Sequence, residues 1–426
     1  MAQNKVLPGA YINFVSLATA SAALSDRGIA TMPLELDWGV EDSVFEVTNE
    51  DFQKNSLKLF GYPYDHEKMK GLRDLFRNIH TLYVYRLNGG GGKAANAYAT
   101  ARYSGGRGNA LKIVIQKNVD DEAMFDVQTV MDSTVVDVQT VSSAADLVAN
   151  DFVTWNGADL ELSAGIALAG GDVTLPEGAS HQKYLDKIES YSFNTMGVIT
   201  ADDSIKALYT AFAKRMRDEV GAKFQVVLYN KAADYEGIIN VKNKTTDTGW
   251  GEASLVYWIT GIVAGCAINK SNLNKVYDGE FTVDVDYTQT QLVKAIQSGE
   301  FTLHKVGSEV RVLEDVNSLV TVTDTKGDIF KDNQAIRVID QIANDIAVLF
   351  NTKYLGAVPN DAAGRISLWA DIVKHHEQMQ DIRAIENFSD KDVTVSQGDT
   401  KKSVVVNDAV TVVNSMAKLY MTTIVG

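Results

Sequence analysis

Hydrophobic and polar positions divide the chain into stretches of different period. Between about residues 96 and 180, β-branched runs occur at 111–115, 124–130 and 133–141, with turn signals at Asn156-Gly157, Gly170-Gly171 and Pro176-Glu177-Gly178. Short strands with regular turns predict a small β-sandwich or barrel. From about 181 to 305 the pattern alternates. An apolar strand at 196–199 precedes a helix capped by Asp202 or Asp203, with Ile205, Leu208, Phe212, Met216 and Val220 on one stripe. A strand at 223–229, a mostly buried helix at 253–268, a helix near 289–297 and a strand at 299–303 follow. That order predicts a parallel α/β sheet with crossover helices.

The remaining two sections flank this pair. In the first 95 residues, a helix capped by Asp65 carries Met69, Leu72, Phe76 and Ile79 on one face, and a strand follows at 81–87. Four consecutive glycines at 89–92 read as a flexible joint and a domain boundary. After 306 the pattern gives strands at 310–313 and 319–322. A long helix then runs from Asp332 to Gly356, with Ile336, Ile339, Ile342, Ile346 and Leu349 on one face. A second helix at about 361–387 carries Trp369, Ile372, Val373, Met379 and Ile382, and strands return at 392–395, 403–406 and 409–413.

The predicted fold class is a multidomain α+β protein. Segments 1–95 and 306–426 form one α+β body, into which a β-sandwich (96–180) and an α/β domain (181–305) are inserted. Two apolar, strand-like arms flank the whole: Tyr11, Ile12, Phe14 and Val15 near one end, Leu419, Tyr420, Met421, Ile424 and Val425 near the other. They either close a sheet within one molecule or pair with the sheet edges of another.

Charge narrows the function classes. Forty Lys and Arg against 55 Asp and Glu leave a net −15, which argues against nucleic-acid binding. Residues 118–180 contain no Lys or Arg and twelve acids, so this segment carries −12 of the total. It reads as a solvated acidic domain that keeps particles apart, with a cation site as the alternative. No signal peptide or membrane span is expected. Cys266, the single cysteine, lies in an apolar run and is expected to be buried.

The search for chemistry returns little. The glycine run fails the phosphate-loop spacing, which needs glycine at position 87 and Ser or Thr at position 94, where Leu87 and Ala94 stand. The six histidines form no zinc-binding spacing, and the adjacent His375 and His376 are expected to be partly exposed on a helix or to form an interface pair. Asn414-Ser415-Met416-Ala417 is similar to the serine segment of subtilisin-type proteases but lacks its lead-in, and no histidine partner is found. No catalytic residue, metal ligand or cofactor site is expected. Two rival readings are a hydrolase with degenerate motifs and a surface adhesion protein.

The domain order, the outer arms and several local motifs resemble contractile tail sheath proteins of myovirus-type phages and of phage-tail-like bacteriocin particles. The residues that carry the likeness are Leu7-Pro8-Gly9-Ala10-Tyr11-Ile12-Asn13-Phe14, Arg27-Gly28-Ile29-Ala30, the strand at 82–87 and the stretch 311–319 with the helices and strands after it. The resemblance implies an outward-facing β-sandwich, a subtilisin-like α/β part without catalysis, and arms that add strands to neighbouring subunits. It also implies a helical homopolymer around an inner tail tube protein, in contact with baseplate and tail terminator proteins. Such a sheath would be assembled in the host cytoplasm and would contract to drive the tube through a cell envelope. A C-terminal helix would meet the tube. Candidates are Arg365, Lys374, His375 and His376 on the second helix and Arg337 and Lys353 on the first, with ordinary solvated helix charges as the alternative.

Overall fold

The computed structural model describes residues 24–425, which fall into two compact units. One comprises residues up to 31, 74–80 and 189–426, and the other 32–73 and 81–188. The protein is a mixed α/β multidomain chain containing a β-sandwich.

The first unit is built on parallel strands. Thr195–Val198, Gln225–Tyr229, Ile238–Val241 and Glu300–Phe301 pair in that order, and Ala30 and Thr31 pair with Thr195 and Met196 on the other side. Their side chains are buried almost throughout, as expected of parallel strands covered on both faces. Asp202 caps the Asp203–Lys214 helix by accepting from the amides of Ser204 and Ile205. The Val256–Gly265 helix is buried on nearly every side, and Gly261 and Gly265 let it approach the backbone of Leu75 and Asn78. A Cβ on Gly265 would lie 1.8 Å from the Asn78 carbonyl oxygen.

The Asn333–Leu349 helix, capped by Asp332, continues into a wider turn at Phe350–Tyr354 before Gly356 at φ +71°. Buried polar ties hold it to the parallel-strand layer. Arg217 makes a two-pronged bond to Asp340 at 2.6 and 2.8 Å, and Gln225 Nε2 donates to Asn333 at 2.8 Å. Arg337 pairs with Asp315 at 2.7 Å, both out of solvent. The Ala362–Asp381 helix, capped by Asp361, covers Leu349 and Tyr354 with Leu368, Ile372 and Val373. It stops at Asp381, not near residue 387, because Arg383 adopts φ +60° and the chain turns into the short Ile385–Glu386 strand.

Several predicted elements change on folding. Residues 319–322 form no strand, because the amides of Val320 and Thr321 are taken by the Asp234 carboxylate. The pairs Val393–Gln397 with Val404–Asp408, and Ile385–Glu386 with Thr411–Val412, are antiparallel ladders.

In the second unit, Thr134–Val141, Phe125–Met131, Leu111–Lys117 and Ser163–Ala167 form an antiparallel sheet in that order, and Ala99–Ala101 pairs with Val153–Trp155. Both contribute to one core of Ile113, Ile115, Val127, Met131, Val153 and Leu168, with Trp38 completing it. The same unit holds the antiparallel pair Val44–Thr48 and Thr81–Arg86, and the Asn49–Phe60 helix, which opens on a Thr48/Asp51 capping box. The four glycines at 89–92 are not a loose joint. Gly92 donates to Asp172 Oδ1, and a Cβ on Gly91 would lie 2.4 Å from the Asp172 carbonyl oxygen.

Candidate functional site

The feature that sets this molecule apart is the segment after Val413. Its base is fixed. Gln334, buried at the start of the long helix, donates to the Val413 carbonyl at 3.1 Å and accepts from the Ser415 amide and hydroxyl at 3.0 Å. Beyond that clamp the chain runs to residue 425 without helix or ladder. Met416 is 100 % exposed, Leu419 86 %, Tyr420 87 %, Met421 78 %, Ile424 91 % and Val425 88 %.

Six large apolar side chains in ten residues are an unusual load for solvent. Burying each would contribute about 1.5–3 kcal/mol. Ordering ten residues costs roughly 1–2 kcal/mol each. The two terms nearly cancel, so burial alone does not fold the arm back. A surface that also satisfies its backbone hydrogen bonds tips the balance, and a sheet edge is such a surface.

Next to the clamp lies an open groove of about 640 Å³, lined by Gln380, Arg383, Ile385, Glu386, Asn387, Phe388 and Val413. It follows the two-residue strand Ile385–Glu386, itself paired only with Thr411–Val412 among the described strands. The left-handed conformations of Arg383 and Asn387 bracket that strand and keep it short.

The predicted site residues separate by exposure. Leu419, Tyr420, Met421, Ile424 and Val425 lie together on the exposed arm, while Tyr11, Ile12, Phe14 and Val15 lie outside the described residues. Among the tube-contact candidates, Lys374 and Lys353 are exposed and Arg365 is half-buried. Lys353 pairs with Asp371 at 2.5 Å, which ties the turn after the first helix to the second. Arg365 donates to the carbonyl and side-chain oxygens of Asn360.

The other three candidates need correction. Arg337 is buried against Asp315, which neutralises its charge, so it presents no exposed cation to a partner. His375 and His376 are buried too, not partly exposed. His375 Nε2 is 2.9 Å from Asp345, His376 Nε2 is 2.7 Å from Asp408, and the two Nδ1 atoms face each other at 3.1 Å. Neighbouring side chains on a helix point about 100° apart, but here the Asn333–Leu349 helix and the Val404–Asp408 strand close over both directions.

Other candidate chemistry resolves structurally. Ser415, from the protease-like tetrapeptide, is part of the arm's clamp. Cys266 is half-buried rather than buried, and burial pushes its thiol up, away from a reactive thiolate. Among the described residues no group of three His, Cys, Asp or Glu side chains is placed to hold a metal ion, and no helix is long and apolar enough to cross a membrane. Sequence reasoning missed Gln334. Its only sequence signal is a polar residue just after a helix cap, which is common in proteins that use it for nothing.

Comparison with known proteins covers nearly the whole described chain. Residues 27–87 match the description "Tail sheath protein Gp18 domain III N-terminal region" and 88–173 "Phage tail sheath protein beta-sandwich domain". Residues 176–318 match "Phage tail sheath protein central domain" and 325–426 "Phage tail sheath C-terminal domain". The phage-like element PBSX protein XkdK of Bacillus subtilis (strain 168) is 32% identical over 455 residues, covering 98% of this chain and 97% of that one. A crystal structure of a sheath tail protein from Desulfitobacterium hafniense is 35% identical, with TM-score 0.83 over 97% of this chain and 99% of that one. The helical sheath of the anti-feeding prophage in its contracted state has TM-score 0.57 at 12% identity over 98% and 99% of the two chains, a likeness of fold.

Proposed function

The chain belongs to the phage tail sheath family as a structural subunit of a contractile tail or tail-like particle, and we propose that it polymerises by lending its exposed arm to a neighbour. The observation that carries this is the arm itself: six exposed apolar side chains held at one fixed base and, among the described residues, paired with no strand. The receiving surface is the groove along Ile385–Glu386, where a third strand extends the two-stranded ladder of a second copy. The N-terminal arm, with Tyr11, Ile12, Phe14 and Val15, makes the reciprocal link.

In this reading the work is mechanical and needs no catalysis or cofactor. Subunits assemble around an inner tube in an extended lattice of higher free energy. A signal from the baseplate releases a wave of rigid-body rotation into a shorter, wider lattice, and the tube is driven through a cell envelope. The arms act as hinges. Their ladder bonds persist while the chain bends between the Gln334 clamp and the borrowed strand. The subunit's internal plan consists of an outward β-sandwich at 96–180, a subtilisin-like layer without catalytic groups at 181–305, and a body from 1–95 and 306–426. The succession of family descriptions along the chain supports it. The tube is met by the exposed side of the Ala362–Asp381 helix through Lys374, with Lys353 nearby, while Arg365, nine residues earlier and so on the opposite side of the helix, braces Asn360 at the edge of that contact.

Deletion of residues 416–425 tests the strand exchange. Purified full-length chain should form long hollow tubes under negative stain. The truncated chain should keep its circular dichroism and melting temperature, since those residues lie outside every core, yet form no tubes. Tubes of normal length and number from the truncated chain would overturn the reading.

A further inference from the structure

A row of side chains, buried at its centre and open at both ends, lies between the long helix and the strand that leads to the arm. It runs Ser25, Asp345, His375, His376, Asp408. Ser25 Oγ donates to Asp345 Oδ1 at 2.5 Å, and Gln341 Nε2 adds bonds to both oxygens of that carboxylate at 2.9 and 3.0 Å. His375 and His376 are 1 % and 0 % exposed and Asp345 7 %.

The proton count follows from the partners. Each Nε2 faces a carboxylate oxygen, so each carries a hydrogen. The two Nδ1 atoms face one another at 3.1 Å, which needs one hydrogen between them. With none, two lone pairs would oppose; with two, both hydrogens would occupy the same gap. The two imidazoles therefore share three protons and one positive charge. We propose that this shared proton is a pH-sensitive latch, which holds the Val404–Asp408 strand, and with it the base of the arm, onto the Ala362–Asp381 helix.

The surroundings match a single positive charge. Asp345 and Gln341 face the pair from the Asn333–Leu349 helix, and Asp408 from the strand. Arg27 lies within electrostatic reach of Asp345 from the segment that carries Ser25. The Phe388 ring packs on His376 with centroids 5.1 Å apart and keeps water from that side. On the histidines' own helix, Asp371 is engaged by Lys353 and Tyr354, while Lys374 and Glu377 are exposed. Two carboxylates, Arg27 and the shared charge sum to zero. Withdrawing the proton leaves one carboxylate uncompensated beside opposed lone pairs, and the half-exposed Asp408 end is the one that can move into water.

The latch is tested on the full-length chain in its unpolymerised fraction, separated from tubes by sedimentation, by hydrogen exchange of the Val404–Asp408 amides from about pH 5.5 to 8.5, the range in which imidazoles ordinarily titrate. Protection, corrected for the intrinsic effect of pH on exchange, should fall with rising pH by up to about tenfold per unit, as for one linked proton. In Asp408→Asn the fall should vanish, because the new amide can turn its Nδ2–H toward a bare His376 Nε2, so that the pair is satisfied with two protons and no charge. Nitrogen NMR of the chain labelled at histidine should find two protonated Nε2 atoms and one proton averaged over the two Nδ1 atoms at the acid end. Protection independent of pH in the parent chain, or the same slope in the variant, overturns the latch. Should the variant not fold, the parent titration and the NMR pattern decide alone.

Discussion

At the scale of single residues, the informative groups are those whose charge is at odds with their surroundings. Asp74 is buried, and burial pushes its carboxyl up to about 6, despite hydrogen bonds from the Glu280 amide and the Tyr277 hydroxyl and a coulombic pull from Arg77. The folded chain thus binds a proton here that the unfolded chain has already released. Stability falls as pH rises from about 4 to about 6 and is level above that, a loss on the order of 3 kcal/mol. Asp74→Asn keeps an acceptor for the Glu280 amide and removes the charge. Urea midpoints of the variant should be flat across that window and at least equal to the parent at neutral pH. A parent-like slope in the variant would assign the dependence to another group. The contrast with Asp315 is instructive, because it is equally buried but Arg337 holds its carboxyl below the ordinary range.

At the scale of elements, periodicity and caps were legible and close approaches were not. Asp202, Asp332 and Asp361 cap helices that the apolar stripes had already located, because capping and stripe are both local properties of the chain. The strand expected at 319–322 failed because a distant side chain, Asp234, claimed its amides, and no local pattern reports that. The flexible-joint reading of the glycines at 89–92 failed for the opposite reason. Glycine runs serve flexibility or proximity, and only the position of Asp172, some eighty residues on, decides between them. The two uses predict different mutational patterns. Gly90 sits at φ +83° with nothing within 4 Å of a Cβ, so Gly90→Ala bears only the left-handed strain, about 1–2 kcal/mol. Gly91→Ala drives a methyl into the Asp172 backbone and should cost about 1–3 kcal/mol through displacement of the whole turn. It should also disturb amide shifts around 170–172, which Gly90→Ala should leave unchanged. Equal, negligible losses in thermal melts of both variants would restore the flexible-joint reading. The candidate site shows the same division. The arm's apolar spacing announced it, whereas its clamp at Gln334 and the burial of His375, His376 and Arg337 depend on contacts made across dozens of residues.

At the scale of the whole molecule, charge separates two tasks. Residues 118–180 hold −12 of the net −15, leaving the rest of the chain close to balance at −3. Repulsion between copies is thus concentrated in one domain, while a surface meeting a tube can be locally basic without the protein being so. Exposed charges more than about 8 Å apart are largely screened at physiological salt, so only cations at the contact itself matter. On the Ala362–Asp381 helix that leaves Lys374 as the clean probe, because it is exposed and remote from the helix caps. Arg365 is half-buried and also braces Asn360, so its reversal disturbs folding as well as charge. On the proposed tube contact, Lys374→Glu should leave melting temperature and spontaneous tube formation by the sheath subunit unchanged, because the side chain is exposed and would face the tube alone. Assembly on purified tail tubes should slow several-fold, with the deficit shrinking as salt is raised. Unchanged assembly on tubes at low salt would remove Lys374 from the contact. Loss of spontaneous polymers instead would place this face between sheath subunits, not against the tube.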